Sequence, residues 1–253
     1  MTIDLSGKTA VITGASRGIG AATAAALANA GVSRFLLQYN SHKAGIDELT
    51  QKLTSGGASV ESAQANLSTM EGIESFAGEV KRREWPIDIL VNNAGSLVKR
   101  AKLPESSSQH YDDVLNLNCK SVWLITQAVL PFMLGRDGSI VNLSSIAARN
   151  GGGPGAVLYA AAKAMVSTMT KGLAKELAPQ GIRVNAVSPG TVDNHFHEVF
   201  STQQMLDAML ASVPCGRLGT NEEVADLIVY LCSPGARYVH GQTIEVNGGM
   251  FMI

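Results

Sequence analysis

The sequence predicts one α/β domain over residues 1–253, a doubly wound parallel sheet of about seven strands with helices on both faces. Three observations lead there. Short, β-branched apolar runs alternate with longer helix-like segments. The runs are apolar at successive positions, as in strands covered on both faces. A glycine cluster directly follows the first run, where the first helix should begin. No Pro-rich, Ser-rich or charged linker divides the 253 residues, a length that one core can fill.

In order, strands are expected over 9–13, 34–39, 59–63, 87–91, 139–143, 183–187 and 242–246. Helices are expected over 19–30, 43–55, 70–83, 109–134, 159–177 and 222–231. The alternation of strand and helix calls for crossover connections and a Rossmann-like arrangement. Asn247-Gly248-Gly249 marks a turn after the last strand.

Composition narrows the function classes. A formal net charge of -1 leaves no basic face for nucleic acid. Cys119, Cys215 and Cys232 are odd in number, with neither a C-x-x-C pair nor metal-ligand spacing, so they read as reduced thiols of a cytoplasmic protein without a bound metal. Asp4 and the early strand do not fit a signal peptide, and the Ala-rich stretch 21–30 is too short to span a bilayer.

The first strand runs into Thr13-Gly14-Ala15-Ser16-Arg17-Gly18-Ile19-Gly20. Three glycines at a strand-to-helix turn let the backbone approach a pyrophosphate, and the helix N-terminus offers unpaired N–H groups and partial positive charge. The second strand ends in Gln38-Tyr39-Asn40-Ser41-His42-Lys43. A carboxylate there would hold the ribose hydroxyls of NAD, and none occurs before Asp47. Arg17, Asn40 and Ser41 are therefore expected to contact a 2′-phosphate, which selects NADP(H) over NAD(H).

Tyr159-Ala160-Ala161-Ala162-Lys163 places a phenol and an ammonium on the same face of a helix. A nearby cation favours the phenolate and lowers a reference pKa of about 10, so that the tyrosine can exchange protons near neutrality. Upstream, the strand 139–143 ends in Ser144-Ser145, where open α/β sheets bind ligands. Both hydroxyls are candidates at this point.

Taken together, Thr13-Gly14-x-x-x-Gly18-x-Gly20, Asn92-Asn93-Ala94-Gly95, Ser145, Tyr159-x-x-x-Lys163 and Pro189-Gly190 resemble the short-chain dehydrogenase/reductase family, in order and over nearly the whole chain. The resemblance is closest to members acting as 3-oxoacyl-acyl carrier protein reductases. It implies hydride transfer between a nicotinamide and a carbonyl or secondary alcohol. Tyr159 would exchange the proton, Ser145 would hold the reacting oxygen, Lys163 would bind the nicotinamide ribose and hold down the Tyr159 pKa, and Asn118 would hold a water for proton relay. The cofactor contacts it implies are Gly14, Ser16, Arg17, Gly18, Ile19, Gly20, Asn40, Ser41, Asn66, Leu67, Asn93, Ala94, Gly95, Tyr159, Lys163, Pro189, Gly190, Val192 and Asn194. Two positions depart from the family pattern: Asn66 stands where an aspartate commonly meets the adenine amino group, and Asn194 where threonine is frequent.

The resemblance further implies a substrate lid around 193–212, which contains His195, Phe196, His197 and Phe200. Arg136 and Lys175 fall where carrier-protein reductases place basic docking residues, but Asp137 and Glu176 adjoin them. The substrate is thus an acyl-thioester carbonyl or a small ketone, sugar or polyol. A nucleotide-binding regulator without chemistry would be expected to have lost Tyr159 or Lys163, and both are present. Helices 109–134 and 159–177 are apolar around much of their circumference and are expected to pair with other copies in a homotetramer.

Overall fold

The computed structural model describes residues 3–252; positions 1, 2 and 253 of the expected domain lie outside the described residues. In chain order the elements are β1 Thr9–Ile12, α1 Gly18–Asn29, β2 Arg34–Tyr39, α2 Lys43–Ser55, β3 Ser59–Gln64, α3 Met70–Arg83, β4 Ile89–Asn92 and α4 Ser108–Leu115. They continue with α5 Ser121–Val129, β5 Ser139–Leu143, α6 Ala147–Asn150, α7 Val157–Leu177, β6 Arg183–Pro189, α8 His195–Phe200, α9 Gln203–Ala211, α10 Asn221–Cys232 and β7 Thr243–Val246.

All seven strands are parallel and lie in the order β3-β2-β1-β4-β5-β6-β7. The order reverses beside β1, which pairs with both β2 and β4. A crevice opens there at the carboxyl ends of the strands, as the doubly wound arrangement requires.

The apolar runs have a physical reason. Ala10 and Ile12 of β1 pack into one core layer with Leu27, Phe35, Leu37 and Ile228, whereas Val11 packs into the other with Leu36, Phe76, Leu90 and Ile125. Successive residues therefore face opposite layers and both are dry, which removes the apolar–polar alternation of a half-exposed strand. Helix α10 begins with a reciprocal cap: Thr220 Oγ1 accepts from Glu223 N at 3.3 Å, and Thr220 N donates to Glu223 Oε2 at 2.9 Å.

One expected helix is broken. The segment 109–134 is α4, a π turn at Asn116–Lys120, α5, and a final 3₁₀ turn at Leu130–Phe132. Asn118 Nδ2 takes the Val114 carbonyl at 2.8 Å, the acceptor its own backbone N–H would use in an α-helix, so the turn widens by one residue. Pro131 lacks the N–H needed to continue and tightens the end. Strand edges also shift. β4 starts at Ile89 and not at residue 87, because the Asp88 carboxylate is turned to Thr9 N at 2.9 Å and Arg136 Nη2 at 3.0 Å. β1 stops at Ile12, where Thr13 turns its hydroxyl to the neighbouring loop.

Candidate active site

A cavity of about 630 Å³ lies at the carboxyl ends of β1, β4, β5 and β6. One end is the glycine turn. Gly14 has φ +66, and a Cβ there would stand 2.9 Å from Ala94 Cα; a Cβ on Gly20 would stand 2.3 Å from the Gly14 carbonyl oxygen. Only glycine allows this close folding of turn onto helix. Asn93 Nδ2 clamps the Thr13 and Gly14 carbonyls at 2.9 Å each, and Thr13 Oγ1 accepts from the N–H groups of Asn93 and Ala94 at 3.0 Å. Helix α1 has no side-chain cap and no acidic residue in its first turn, which leaves its leading N–H groups available to an anion. The free N–H groups and the absence of Cβ atoms at this turn suit a pyrophosphate.

Arg17 lines the cavity, and its guanidinium has neither hydrogen-bond nor ion-pair partner among the described residues. Gly18, Ile19, Ala94, Gly95, Pro189, Gly190, Val192 and Asn194 also border it. Ser16 and Gly20 build the turn without facing the cavity; Asn40 and Ser41 at the end of β2, and Asn66 and Leu67 after β3, lie beyond its walls. Leu67 is buried, with 1% exposure. Asn66 differs from expectation. Its side-chain oxygen already accepts from Ser68 N at 3.1 Å and Ser68 Oγ at 2.8 Å, which uses both lone pairs that an adenine amino group would need. Asn194 is drawn off as well: it caps α8 through Phe196 N at 3.1 Å and donates to Asn221 Oδ1 at 2.9 Å.

The other end carries Ser145, Tyr159 and Lys163. The structure separates the two serines. Ser144, 3% exposed, donates to the Lys163 carbonyl at 3.0 Å and meets Ser167 Oγ at 2.7 Å, so it joins β5 to α7. Ser145 accepts from Ala147 N at 3.1 Å and turns its hydroxyl to the cavity and the Tyr159 phenol. Lys163 is buried and donates to the Leu143 carbonyl at 2.7 Å, with Nζ 5.6 Å from the Tyr159 ring centroid.

The pKa directions differ from the sequence-based expectation for Tyr159. Burial pushes its phenol up to about 12, with the Ser145 hydroxyl pulling the other way. Burial also pushes the Lys163 ammonium down to about 8. Desolvation disfavours both charged forms, and for each group it is the largest cause of the shift. The Tyr159 phenol is thus protonated at neutral pH.

Asn118 is fully buried and committed to the backbone: Nδ2 donates to Ser96 O at 2.9 Å and Val114 O at 2.8 Å, and Oδ1 accepts from Ser96 N at 3.2 Å. Both N–H groups of its amide are thus taken within the protein, and Oδ1 keeps one lone pair free. It still flanks Lys163 across Gly95, where a Cβ would stand 2.8 Å from both Asn118 Oδ1 and Lys163 Nζ.

Helices α8 and α9 lie over this end. The Phe196 ring sits 5.6 Å from that of Tyr159 and 5.1 Å from that of Phe200. Burial, followed by the Arg100 charge, lowers the His197 pKa. Sequence reasoning missed Gln38, which accepts from Gly14 N at 2.8 Å and donates to Ala65 O at 2.8 Å, bracing the glycine turn. A lone amide at the end of an apolar strand was its signal. It also missed Arg100 and Met250 in the cavity wall, which irregular loops and a distant segment bring in without any local pattern. Among the described residues no group of three or more His, Cys, Asp or Glu is placed to hold a metal, and no helix is long and apolar enough to cross a membrane.

Comparison with known proteins agrees with this geometry. The family described as Enoyl-(Acyl carrier protein) reductase matches residues 14–251. The 3-oxoacyl-[acyl-carrier-protein] reductase FabG of Staphylococcus aureus is 37% identical over 246 residues, covering 97% of this chain and 98% of its own. The chain belongs to the short-chain dehydrogenase/reductase family. Its relative of the same FabG name in Thermotoga maritima is 38% identical over 247 residues, covering 97% of this chain and 98% of its own. Among family structures, a short-chain dehydrogenase of Burkholderia cenocepacia in complex with NADP superposes with a TM-score of 0.89 at 31% identity, covering 97% and 98% of the two chains. A blue fluorescent protein from a metagenomic library in complex with NADPH gives 0.91 at 31% identity, covering 98% and 100%.

Proposed function

We propose that this chain is an NADP(H)-dependent oxidoreductase that interconverts a carbonyl and a secondary alcohol, with 3-oxoacyl thioesters as its substrate class. The observation that carries the reading is the meeting of Ser145, Tyr159 and Lys163 in one cavity with a glycine turn bordered by an unpaired Arg17. NADPH supplies the hydride when bound. The α1 N-terminus and the turn Gly14 to Gly20 hold the pyrophosphate, and Arg17 with Asn40 and Ser41 meets the 2′-phosphate. Asn93, Ala94, Gly95, Pro189, Gly190, Val192 and Asn194, which line the cavity, complete the cofactor wall.

On the substrate side, Ser145 Oγ donates to the carbonyl oxygen, a preorganised donor aimed at developing negative charge. Tyr159, protonated at neutral pH, delivers its proton to that oxygen. Lys163 holds the ribose and, with a pKa near 8, exchanges protons readily enough to restore the phenol. Asn118 acts as a positioning residue for Lys163 through the loop at Gly95 and Ser96. The segment 193–212 serves as the lid, with Phe196 resting on Tyr159.

The curated relatives named above support the thioester class. A small ketone, sugar or polyol is the second reading, favoured by one observation: Arg136 is bound to the buried Asp88 at 3.0 Å, which leaves Lys175 without its expected partner for a carrier protein. Exposed Trp123, Val157 and Met165 on α5 and α7 support burial against further copies in a homotetramer. Unpaired Cys119, Cys215 and Cys232 suit a cytoplasmic, reducing setting. The test is kcat/KM for NADPH and NADH over a carbonyl panel that includes an oxoacyl thioester, diketones and sugars. NADPH should lead by tenfold or more; NADH preference would overturn the cofactor assignment.

A further inference from the structure

The cavity wall contains three side chains that are cationic at neutral pH, Arg17, Arg100 and Lys163, and not one Asp or Glu among the described residues. Arg17 and Lys163 have roles at the cofactor. Arg100 does not. It leaves the loop after β4 and is fixed by two backbone carbonyls, Nε donating to Phe200 O at 2.8 Å and Nη1 to Pro154 O at 2.6 Å. The first lies at the end of the lid helix α8 and the second in the Gly-rich loop before α7, so the guanidinium bridges both walls of the substrate end.

Two of its five N–H donors are thereby used, and Nη2 has no partner among the described residues. No carboxylate pairs with it, and partial burial lowers its pKa without any compensating acid. The same cavity wall carries the apolar and aromatic side chains Leu97, Phe196, Val199, Phe200 and Met209. His197, also in the cavity wall, has its pKa lowered by burial first and by the Arg100 charge second, and uses Nδ1 on Ser201 Oγ at 2.9 Å. It cannot neutralise the guanidinium. A held but uncompensated guanidinium in an apolar wall is matched by an anion arriving with the ligand.

We propose that Arg100 is a specificity-determining residue that binds a carboxylate on the substrate, so that among carbonyl compounds other than thioesters the preferred ones are oxo acids or their hydroxy acid products. A single guanidinium with donors to spare suits one carboxylate. The inference rests on the cavity being the site of carbonyl reduction; it does not rest on the thioester reading, and within the carbonyl class it favours the free acid.

The test uses pairs of oxo acids and their methyl esters, of rising chain length, with saturating NADPH and with wild-type, Arg100→Gln and Arg100→Lys proteins. The proposal expects at least one pair in which the wild type favours the acid by tenfold or more in kcat/KM. In that pair Arg100→Gln should lower the acid by about tenfold to a hundredfold while leaving the ester within a few-fold, and Arg100→Lys should retain part of the preference. The proposal is overturned if esters win every pair, or if Arg100→Gln lowers acid and ester equally, the result of a strap that only holds the lid. No turnover of any carbonyl compound, with NADPH still quenching Trp fluorescence, would instead overturn the reaction on which the inference rests.

Discussion

Adjacent serines at the end of β5 give the sharpest separation between a structural and a chemical hydroxyl. Replacing Ser144 by alanine removes its bonds to the Lys163 carbonyl and to Ser167 Oγ. Neither partner is orphaned, because Ser167 Oγ still donates to that carbonyl at 3.2 Å. The expected cost is therefore one ordinary net hydrogen bond, about 1 kcal/mol, or a fall in Tm of roughly 2–4 °C for a chain of this size. Turnover should stay within about tenfold, well short of a lost donor to the reacting oxygen. Replacing Ser145 removes the donor aimed at the reacting oxygen and should lower kcat by about 10²–10³. It accepts from Ala147 N and faces the Tyr159 phenol, so stability should fall by no more than about 1 kcal/mol. The assay pairs NADPH oxidation at 340 nm with thermal unfolding of each variant. Greater loss of turnover in Ser144→Ala than in Ser145→Ala would refute the assignment.

Other consequences are equally open to measurement. In Gly20→Ala the new Cβ would meet the Gly14 carbonyl oxygen at 2.3 Å, so the turn must open; NADPH affinity by fluorescence titration should fall by about tenfold or more, and an unchanged Kd would contradict the cradle. In Arg17→Ala the ratio of kcat/KM for NADPH over NADH should shrink by about tenfold to a hundredfold, chiefly through NADPH. Lys163 is lowered from 10.5 to about 8 in the fold, so between those values the unfolded chain binds more protons and stability rises with pH. Nucleotide-free wild type should therefore gain stability relative to Lys163→Met as pH rises from about 8 to 10.5, and parallel curves would show that Lys163 is not desolvated.

Strand and helix positions were readable wherever burial imposed a period, as in β2, whose 34–39 bounds follow from a run dry on both faces. The break in 109–134 was not readable, because it depends on Asn118 choosing the Val114 carbonyl, a side-chain decision that leaves apolar periodicity intact. Within the site, Tyr159, Lys163 and the glycine turn were legible because their spacing itself performs the chemistry. The Tyr159 pKa was not, since charge proximity can be read from i and i+4, whereas desolvation depends on what α8 and the surrounding loops lay over the ring. Asn66 was misread for a similar reason: its oxygen is consumed by Ser68, a local turn that competes with any ligand. Arg100 enters the cavity from an irregular loop and is held by residues fifty-four and a hundred positions away, so no sequence window contains its role.

Proton delivery by Tyr159 is the central claim, and Tyr159→Phe tests it most directly because only the hydroxyl is lost from a ring that also packs on Phe196. With NADPH binding measured in parallel and a carbonyl substrate at saturation, the variant should bind the cofactor within a few-fold of wild type. Its kcat should fall by about 10²–10⁴, the range of a general acid. A variant that binds NADPH and keeps kcat within tenfold of wild type would contradict the account.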